Sequence, residues 1–377
     1  MSTVSHGPYD AFLLVSFGGP EGPEEVLPFL ENVTRGRGVP AERLLEVAEH
    51  YKHFAGISPI NAQNRTLLDA IRADFAGHGL DLPLYWGNRN WHPLLAGTVE
   101  RMRADGVRRA VALVTSAYSS YSGCRQYHED IDRARAQVGP GAPEIDKLRH
   151  YFNHPGFVRA NADAVIAALA TLPEAARADA RLVFTAHSVP VAMARASGPL
   201  ALEAARTGSP TPDGGLYVAQ LTEAARLVTE LVGGALPRTD AGFDLVWQSR
   251  SGPPRVPWLE PDVNDHIEAL AAGGTGAVVV SPIGFVSDHV EVRWDLDTEA
   301  AVTARRLGLG FARAATAGTH PDFVTMVREL VDEVAVGAPA RALGPMGPSH
   351  RHCPAGCCPS PRRPANAATR GTPAPGD

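Results

Sequence analysis

The sequence predicts an α/β protein built from two similar halves, each a parallel sheet flanked by helices, with a cleft between them. Three observations carry this. Short apolar runs lack polar alternation, as strands buried on both faces do. Longer stretches of helical period separate them, the spacing of strand–helix–strand units. The pattern restarts near residue 155, and 377 residues are enough for two domains and a remainder.

In the first half, Asp10–Gly18 (DAFLLVSFG) is an apolar run ended by glycines, a buried strand and a tight turn. Pro23–Val33 reads as a helix with proline at its start and acidic residues in its first turn. Helical patterns follow at Ala41–His53 and Asn61–Gly77. Leu82–Trp86 is a strand, Pro93–Ala104 a helix, Arg109–Ala117 a strand and Gly123–Ala136 a helix. The second half offers helices at Phe157–Thr171, Leu216–Val232, Val263–Ala272, Asp288–Leu307 and Pro321–Val334. Its strands are Ala180–His187, Phe243–Gln248 and Ala277–Phe285. The domains are therefore expected at 8–155 and 156–336, with the last helix free to pack on either. Residues 337–377 form a Pro-rich tail that lacks Phe, Trp, Tyr, Ile and Val from Pro339 onward. Such a segment cannot offset its ordering entropy and is expected to be ordered only where something pins it.

A net charge of −6 argues against a nucleic-acid partner held by bulk electrostatics. All but two of the 35 basic residues are arginine, so a single arginine is weak evidence for an anion site. No basic cluster followed by an apolar stretch opens the chain, and no apolar run approaches the ~20 residues of a spanning helix. A cytoplasmic protein is expected, with peripheral membrane contact left open. A reducing compartment disfavours disulfides among Cys124, Cys353, Cys357 and Cys358. Four thiolates also suffice to close a zinc or iron–sulfur site.

Functional residues in parallel sheets gather beyond the carboxyl ends of strands. Four such ends are polar here: Ser16–Pro20, Thr115–Tyr121, Thr185–Ser188 and Gly284–His289. His187 reads either as a satisfied, half-buried histidine or as a metal ligand and proton acceptor. Glu291, Asp295 and Glu299 recur every four residues, on one helix face. They read either as a solvated acidic face near a helix N-terminus or as oxygen ligands leading a divalent cation into the cleft. Phe285 and Trp294 lie nearby, as a planar apolar ligand would require. Gly18-Gly19 precedes a proline and is not a G-x-G-x-x-G turn, so no nucleotide site is expected.

The chain resembles ferrochelatases, especially the coproporphyrin type of actinobacteria. The stretches that carry the resemblance are LLVSFGGPEGPEEVLPFLENVTRGRG, HFAGISPINAQNR, YWGNRNWHP, TSAYSSYSGCRQYHEDI, VFTAHSVP, WQSRSGPPRVPWLEPDV and PIGFVSDHVEVRWDLDTE. They run in order over about residues 11 to 300, and TAHS together with SDHVEVRWDLD is highly specific. The resemblance implies two Rossmann-like, chelatase-type domains around a porphyrin cleft. It implies insertion of Fe2+ into a porphyrin, coproporphyrin III giving coproheme, in heme biosynthesis. His187 falls on the family's essential histidine and Glu291 on its partner carboxylate, both metal-facing. Asp295 and Glu299 fall on the acidic row behind them. Ser58 and Tyr127 fall where relatives contact the macrocycle, and Arg35 and Arg37 near a propionate. Firmicute relatives carry tyrosine where this chain has Phe17, so no iron-ligating role attaches to that position. Some ferrochelatases bind a [2Fe–2S] cluster through three C-terminal cysteines and one internal cysteine, which implies Cys353, Cys357, Cys358 and Cys124 here. Zinc and free thiols remain the alternatives, although adjacent cysteines are unusual for tetrahedral zinc. A monomer is expected, with transient contact to downstream coproheme enzymes. Competing functions are a protoporphyrin IX ferrochelatase, a cobalt or nickel chelatase, and a non-catalytic porphyrin or heme carrier or redox sensor.

Overall fold

The computed structural model describes residues 7–36, 38–177, 179–207, 214–233, 242–252 and 255–360. Arg37 and the last 17 residues of the expected tail lie outside that set. The first half contains β1 (Ala11–Ser16), α1 (Val26–Thr34), α2 (Ala41–His53), α3 (Ile60–Gly77), β2 (Leu84–Asn88), α4 (Leu95–Ala104), β3 (Arg109–Val114), α5 (Gln126–Val138) and β4 (Glu144–Lys147). The second contains α6 (Pro155–Thr171), α7 (Glu174–Arg177), β5 (Ala180–His187), α8 (Val191–Arg195), α9 (Pro199–Thr207), α10 (Gly215–Val232), β6 (Phe243–Gln248), α11 (Val263–Ala272), β7 (Ala277–Ser281), α12 (Val290–Val292), α13 (Ala301–Arg306), β8 (Gly310–Arg313) and α14 (Pro321–Ala335).

Two parallel four-stranded sheets result, in the orders β2-β1-β3-β4 and β6-β5-β7-β8. All six residues of β1 are buried, and it pairs on both sides, Phe12 facing Leu84 and Val111. The chain adds its second strand to one side of the first and its third to the other. That reversal opens a crevice at the carboxyl ends of β1 and β3, and again at those of β5 and β7. The two halves thus repeat one topology.

Two of the four edge strands, β4 and β8, escape the sequence reading. Each is four residues long, and EIDK and GFAR carry too few apolar residues to look like buried strands. A turn of π-helix at Tyr121–Arg125 precedes α5. The expected long helix from Asp288 is instead α12, a π-helical segment at Arg293–Ala300, and α13.

One core spans both sheets, joining Phe12, Leu14 and Trp86 to Phe184, Ala186 and Trp247 through α3, α6, α10 and α14. Separate clusters cover the outer face of each sheet. Helix α14 packs on both α6 and α3. It is fixed by a buried bidentate pair, Arg149 Nε and Nη2 donating to Glu333 at 2.8 and 2.7 Å. Beyond it the chain stays anchored: Leu343 N–H donates to Asn153 O at 2.8 Å, and Asn153 Nδ2 donates to Gly347 O at 2.8 Å.

Candidate active site

His187 is the last residue of β5, at the second switch point. Its Nδ1 lies 2.5 Å from Ser188 O, and a carbonyl can only accept, so Nδ1 carries the proton. The neutral ring therefore carries its lone pair on Nε2, the nitrogen that lies 3.8 Å from Glu291 Oε2. Both side chains are partly exposed, at 35% and 47%. An imidazole and a carboxyl group that both reach solvent can share a cation or pass a proton.

Behind them the π-helical segment Arg293–Ala300 carries the other two carboxylates. An α-turn holds 3.6 residues, so four-residue steps drift around its axis; the wider i→i+5 turn offsets that drift and keeps Glu291, Asp295 and Glu299 in one row. Asp295 is pushed up to about 7, chiefly by burial, with the neighbouring charges of Glu291 and Glu299 adding to it. Ser249 Oγ and Gln248 Nε2 (3.2 Å) donate to Asp295 Oδ2 and oppose that rise. Gln248 is held in turn by Thr185 Oγ1, which donates to its Oε1 at 2.8 Å. Ser249 sits at φ 59°, a conformation rare for a side-chain-bearing residue and common at functional sites. Glu299 Oε1 accepts from Trp294 Nε1 at 2.9 Å, and the indole stacks on His50 at 4.1 Å. Partly buried His289 is pushed down, mainly by desolvation. Its ring meets Phe285 edge-on at 5.1 Å.

The first half supplies the facing wall. Phe17, 36% exposed, follows β1 and packs edge-on against Phe29, which meets Trp91 and Tyr51. Val290 joins this cluster, so α1 and α2 close over the start of α12. Ser58 is 3% exposed and lies so near Gly19 that a Cβ there would come within 2.7 Å of its hydroxyl. Tyr127 is buried beneath the Arg89 guanidinium, 3.6 Å from its ring centre. Arg89 is paired with buried Asp130 at 2.5 Å. Arg35 caps α1 and lines a cavity of about 620 Å³ with Asn90, Trp91, His92 and Arg133. Among the described residues, Ser58, Tyr127 and Arg35 make no hydrogen bond or ion pair with His187 or Glu291.

All four cysteines meet, though 229 residues separate Cys124 from Cys353. Cys124 Sγ lies 3.7 Å from Cys353 Sγ, and Cys357 Sγ 3.8 Å from Cys358 Sγ. Contacts of Cys124 with Cys358 and of Cys353 with Cys357 close the ring. Thiol hydrogen bonding within it pushes Cys124 and Cys357 down and Cys353 and Cys358 up. Adjacent Cys357 and Cys358 share the centre because Cys358 turns at φ 50°. Two thiolates on one tetrahedral metal, each about 2.3 Å from it, lie near 3.8 Å apart, as Cys124 with Cys353 and Cys357 with Cys358 do, so the pairs fit thiolate ligation of a metal or cluster. His128 lies within 4.8 Å of Cys124 and Cys353, and His350 Nε2 is 3.4 Å from Cys353 Sγ.

Gln248, Ser249, Tyr217 and His50 were not singled out by the sequence. Only the WQSR stretch hinted at the first two, and no spacing rule marks them.

Comparison with known proteins identifies the family. The family model described as Ferrochelatase matches residues 9–335. A coproporphyrin III ferrochelatase of Streptomyces griseus is 54% identical over 373 residues, covering 96% of each chain. One from Streptomyces coelicolor is 55% identical, again covering 96% of each. One from Nocardia farcinica is 55% identical, covering 95% of this chain and 99% of its own. On that match and these relatives, the chain belongs to the ferrochelatase family and is an enzyme that inserts a metal into a porphyrin.

Proposed function

We propose that the enzyme inserts Fe2+ into coproporphyrin III to give coproheme, in heme biosynthesis, with both the iron and the porphyrin as substrates. The observation that carries the site assignment is the open pair of His187 Nε2 and Glu291 Oε2, 3.8 Å apart at the switch point. The relatives named for coproporphyrin III support the choice of porphyrin.

The reaction exchanges two pyrrole N–H protons for one Fe2+. His187, proton on Nδ1 and lone pair on Nε2, faces the incoming ion or accepts a pyrrole proton. Glu291 shares that task from the opposite side of a 3.8 Å gap. Asp295 and Glu299 hold the hydrated cation on its way in. With a pKa of about 7, Asp295 also takes and releases a proton near neutrality. Ser58 and Tyr127 support the macrocycle's wall, and Arg35 offers a cation to a propionate.

We further propose that Cys124, Cys353, Cys357 and Cys358 hold a [2Fe–2S] cluster, whose thiolate ligation would pin the tail to the first half. Their closed ring of sulfurs supports this. The domain limits 8–155 and 156–336, a cytoplasmic location, a monomeric state and contact with downstream coproheme enzymes complete the reading. No helix among the described residues is long and apolar enough to cross a membrane.

Anaerobic incubation with Fe2+ and either coproporphyrin III or protoporphyrin IX, followed by porphyrin absorbance, tests the function. Many turnovers with coproporphyrin III are expected. Preference for protoporphyrin IX overturns the substrate, and stoichiometric binding without turnover overturns the enzyme. Metal analysis tests the cluster: two irons per chain are expected, one zinc refutes it.

A further inference from the structure

A short run of hydrogen bonds joins the cysteine site to His187. Cys358 Sγ accepts the Gly198 N–H at 3.1 Å. Ser197, 1% exposed, donates its Oγ to Ala194 O at 2.5 Å and accepts the Tyr217 N–H at 2.8 Å. Tyr217 OH donates to the His187 carbonyl at 2.9 Å. The links at Gly198 and Ser197 are buried and that of Tyr217 to His187 is part-buried, so solvent competes little along most of the run.

The backbone along this run has little freedom. Gly198 takes φ +84°, and a Cβ there would come within 2.3 Å of Leu216. Gly215 takes φ +64°, and a Cβ there would come within 2.0 Å of Ala194 O, so the start of α10 is seated hard against α8. The Tyr217 ring is flanked by Tyr118 at 6.5 Å, edge-on, and by Trp247 at 5.9 Å. Trp247 precedes Gln248, which bonds Asp295.

We propose that Gly198, Ser197 and Tyr217 form a strut through which the cysteine site positions His187. A thiolate fixed by a metal is a charged, immobile acceptor for the Gly198 N–H. Without it that buried N–H loses its partner, and the Ser197–Tyr217 contact loses its footing. Tyr217 holds the His187 carbonyl while Ser188 O holds Nδ1, so movement of Tyr217 redirects Nε2 relative to Glu291. Small misplacements of a reacting group cost rate strongly. The proposal rests on the four cysteines holding a metal centre, but not on which metal that is.

The test uses the full chain with its centre loaded. Tyr217→Phe removes only the bond to His187. It should lower kcat about fivefold, the worth of one ordinary hydrogen bond. Porphyrin affinity by fluorescence quenching, metal content and visible absorbance should stay at wild-type values. Cys358→Ala should lower kcat in the wild type, yet change Tyr217→Phe less than twofold. Because Cys358→Ala can fail to fold, Ser197→Ala is run in the same double-mutant cycle with the same expectation. Wild-type kcat in Tyr217→Phe overturns the strut. So do losses that multiply in the double mutants. Zinc in place of iron would refute the [2Fe–2S] reading and leave this cycle intact, so the two failures are distinguishable.

Discussion

Asp295 should make the enzyme less stable at the pH where it works. Its carboxyl has a pKa of about 7 in the fold against an ordinary 3.8, because burial and its acidic neighbours disfavour the charge. Between those values the unfolded chain has lost this proton and the folded chain still holds it. The folded state therefore binds more protons, and stability falls as pH rises from about 4 to about 7, then levels off. At 1.36 kcal/mol per pH unit, the gap amounts to about 4 kcal/mol at pH 8. Residual solvent at the edge of the side chain reduces this, so at least ~2 kcal/mol is expected. Asp295→Asn keeps the shape and a partner for Ser249 and Gln248 but cannot ionise. In metal-free denaturant melts it should be more stable than wild type by ~2 kcal/mol or more at pH 8, and nearly equal at pH 4. A gap that is the same at both pH values would refute the reasoning. The same variant should raise KM for Fe2+ at pH 8, where the wild-type carboxylate is charged.

His187→Ala should abolish iron insertion while porphyrin still quenches on binding, since apolar walls and rim contacts hold the macrocycle; near-normal turnover would refute the site. Glu333→Ala leaves Arg149 buried without its partner and should cost about 3–5 kcal/mol in denaturant melts, whereas a loss below ~1 kcal/mol would mean that water replaces the pair. Stripping the proposed cysteine-held metal with a chelator should bleach the visible absorbance and lower Tm, and Cys124→Ser should lower bound iron; a Tm unmoved by chelation would show that the tail is held by its protein contacts, such as those of Asn153, Arg149 and Arg125, without a metal.

Much of the scaffold was readable because buried parallel strands leave an unmistakable mark. AFLLVS and AVVVS are apolar at nearly every position, and both proved central. EIDK and GFAR are only four residues long and half or more of each is not apolar, so they left no such mark, whereas the longer edge strands β2 and β6 did. His187 and the carboxylates stood out because a histidine at a strand end and acids at a fixed spacing are local patterns. The π-helical form of their segment was not legible, since a wider turn is set by packing against α11 and the sheet rather than by residue type. Gln248, Ser249 and Tyr217 act through partners up to 63 residues away, as with Thr185 and Gln248, and local spacing carries no trace of that. The cysteines were readable as a set, but only the fold shows that Cys358 also reaches Gly198.

Departures from ordinary stability rules concentrate at the two chemical sites. Asp295 is a partly buried carboxyl flanked by two like charges, and the residue that bonds it, Ser249, sits at φ 59°. Cys358 sits at φ 50° and closes the sulfur ring. Each left-handed residue costs of order 1 kcal/mol or more. Only one other non-glycine residue among those described, Ala55, shares that conformation. Strain confined in this way is held by its surroundings. Around Ser249 those are Gln248, Thr185 and the buried strands; around Cys358 they are Gly198 and the Arg125 side chain, which donates to Cys357 O at 3.1 Å. A chain selected for stability alone would replace Asp295 by an uncharged residue and Ser249 by glycine. Retaining an ionisable acid on a strained support makes sense where the acid must hold a cation and then release it, because a weakly stabilised carboxylate binds a passing ion without trapping it. That is the role proposed for Asp295, on the route by which iron arrives and protons leave, one step behind His187 and Glu291.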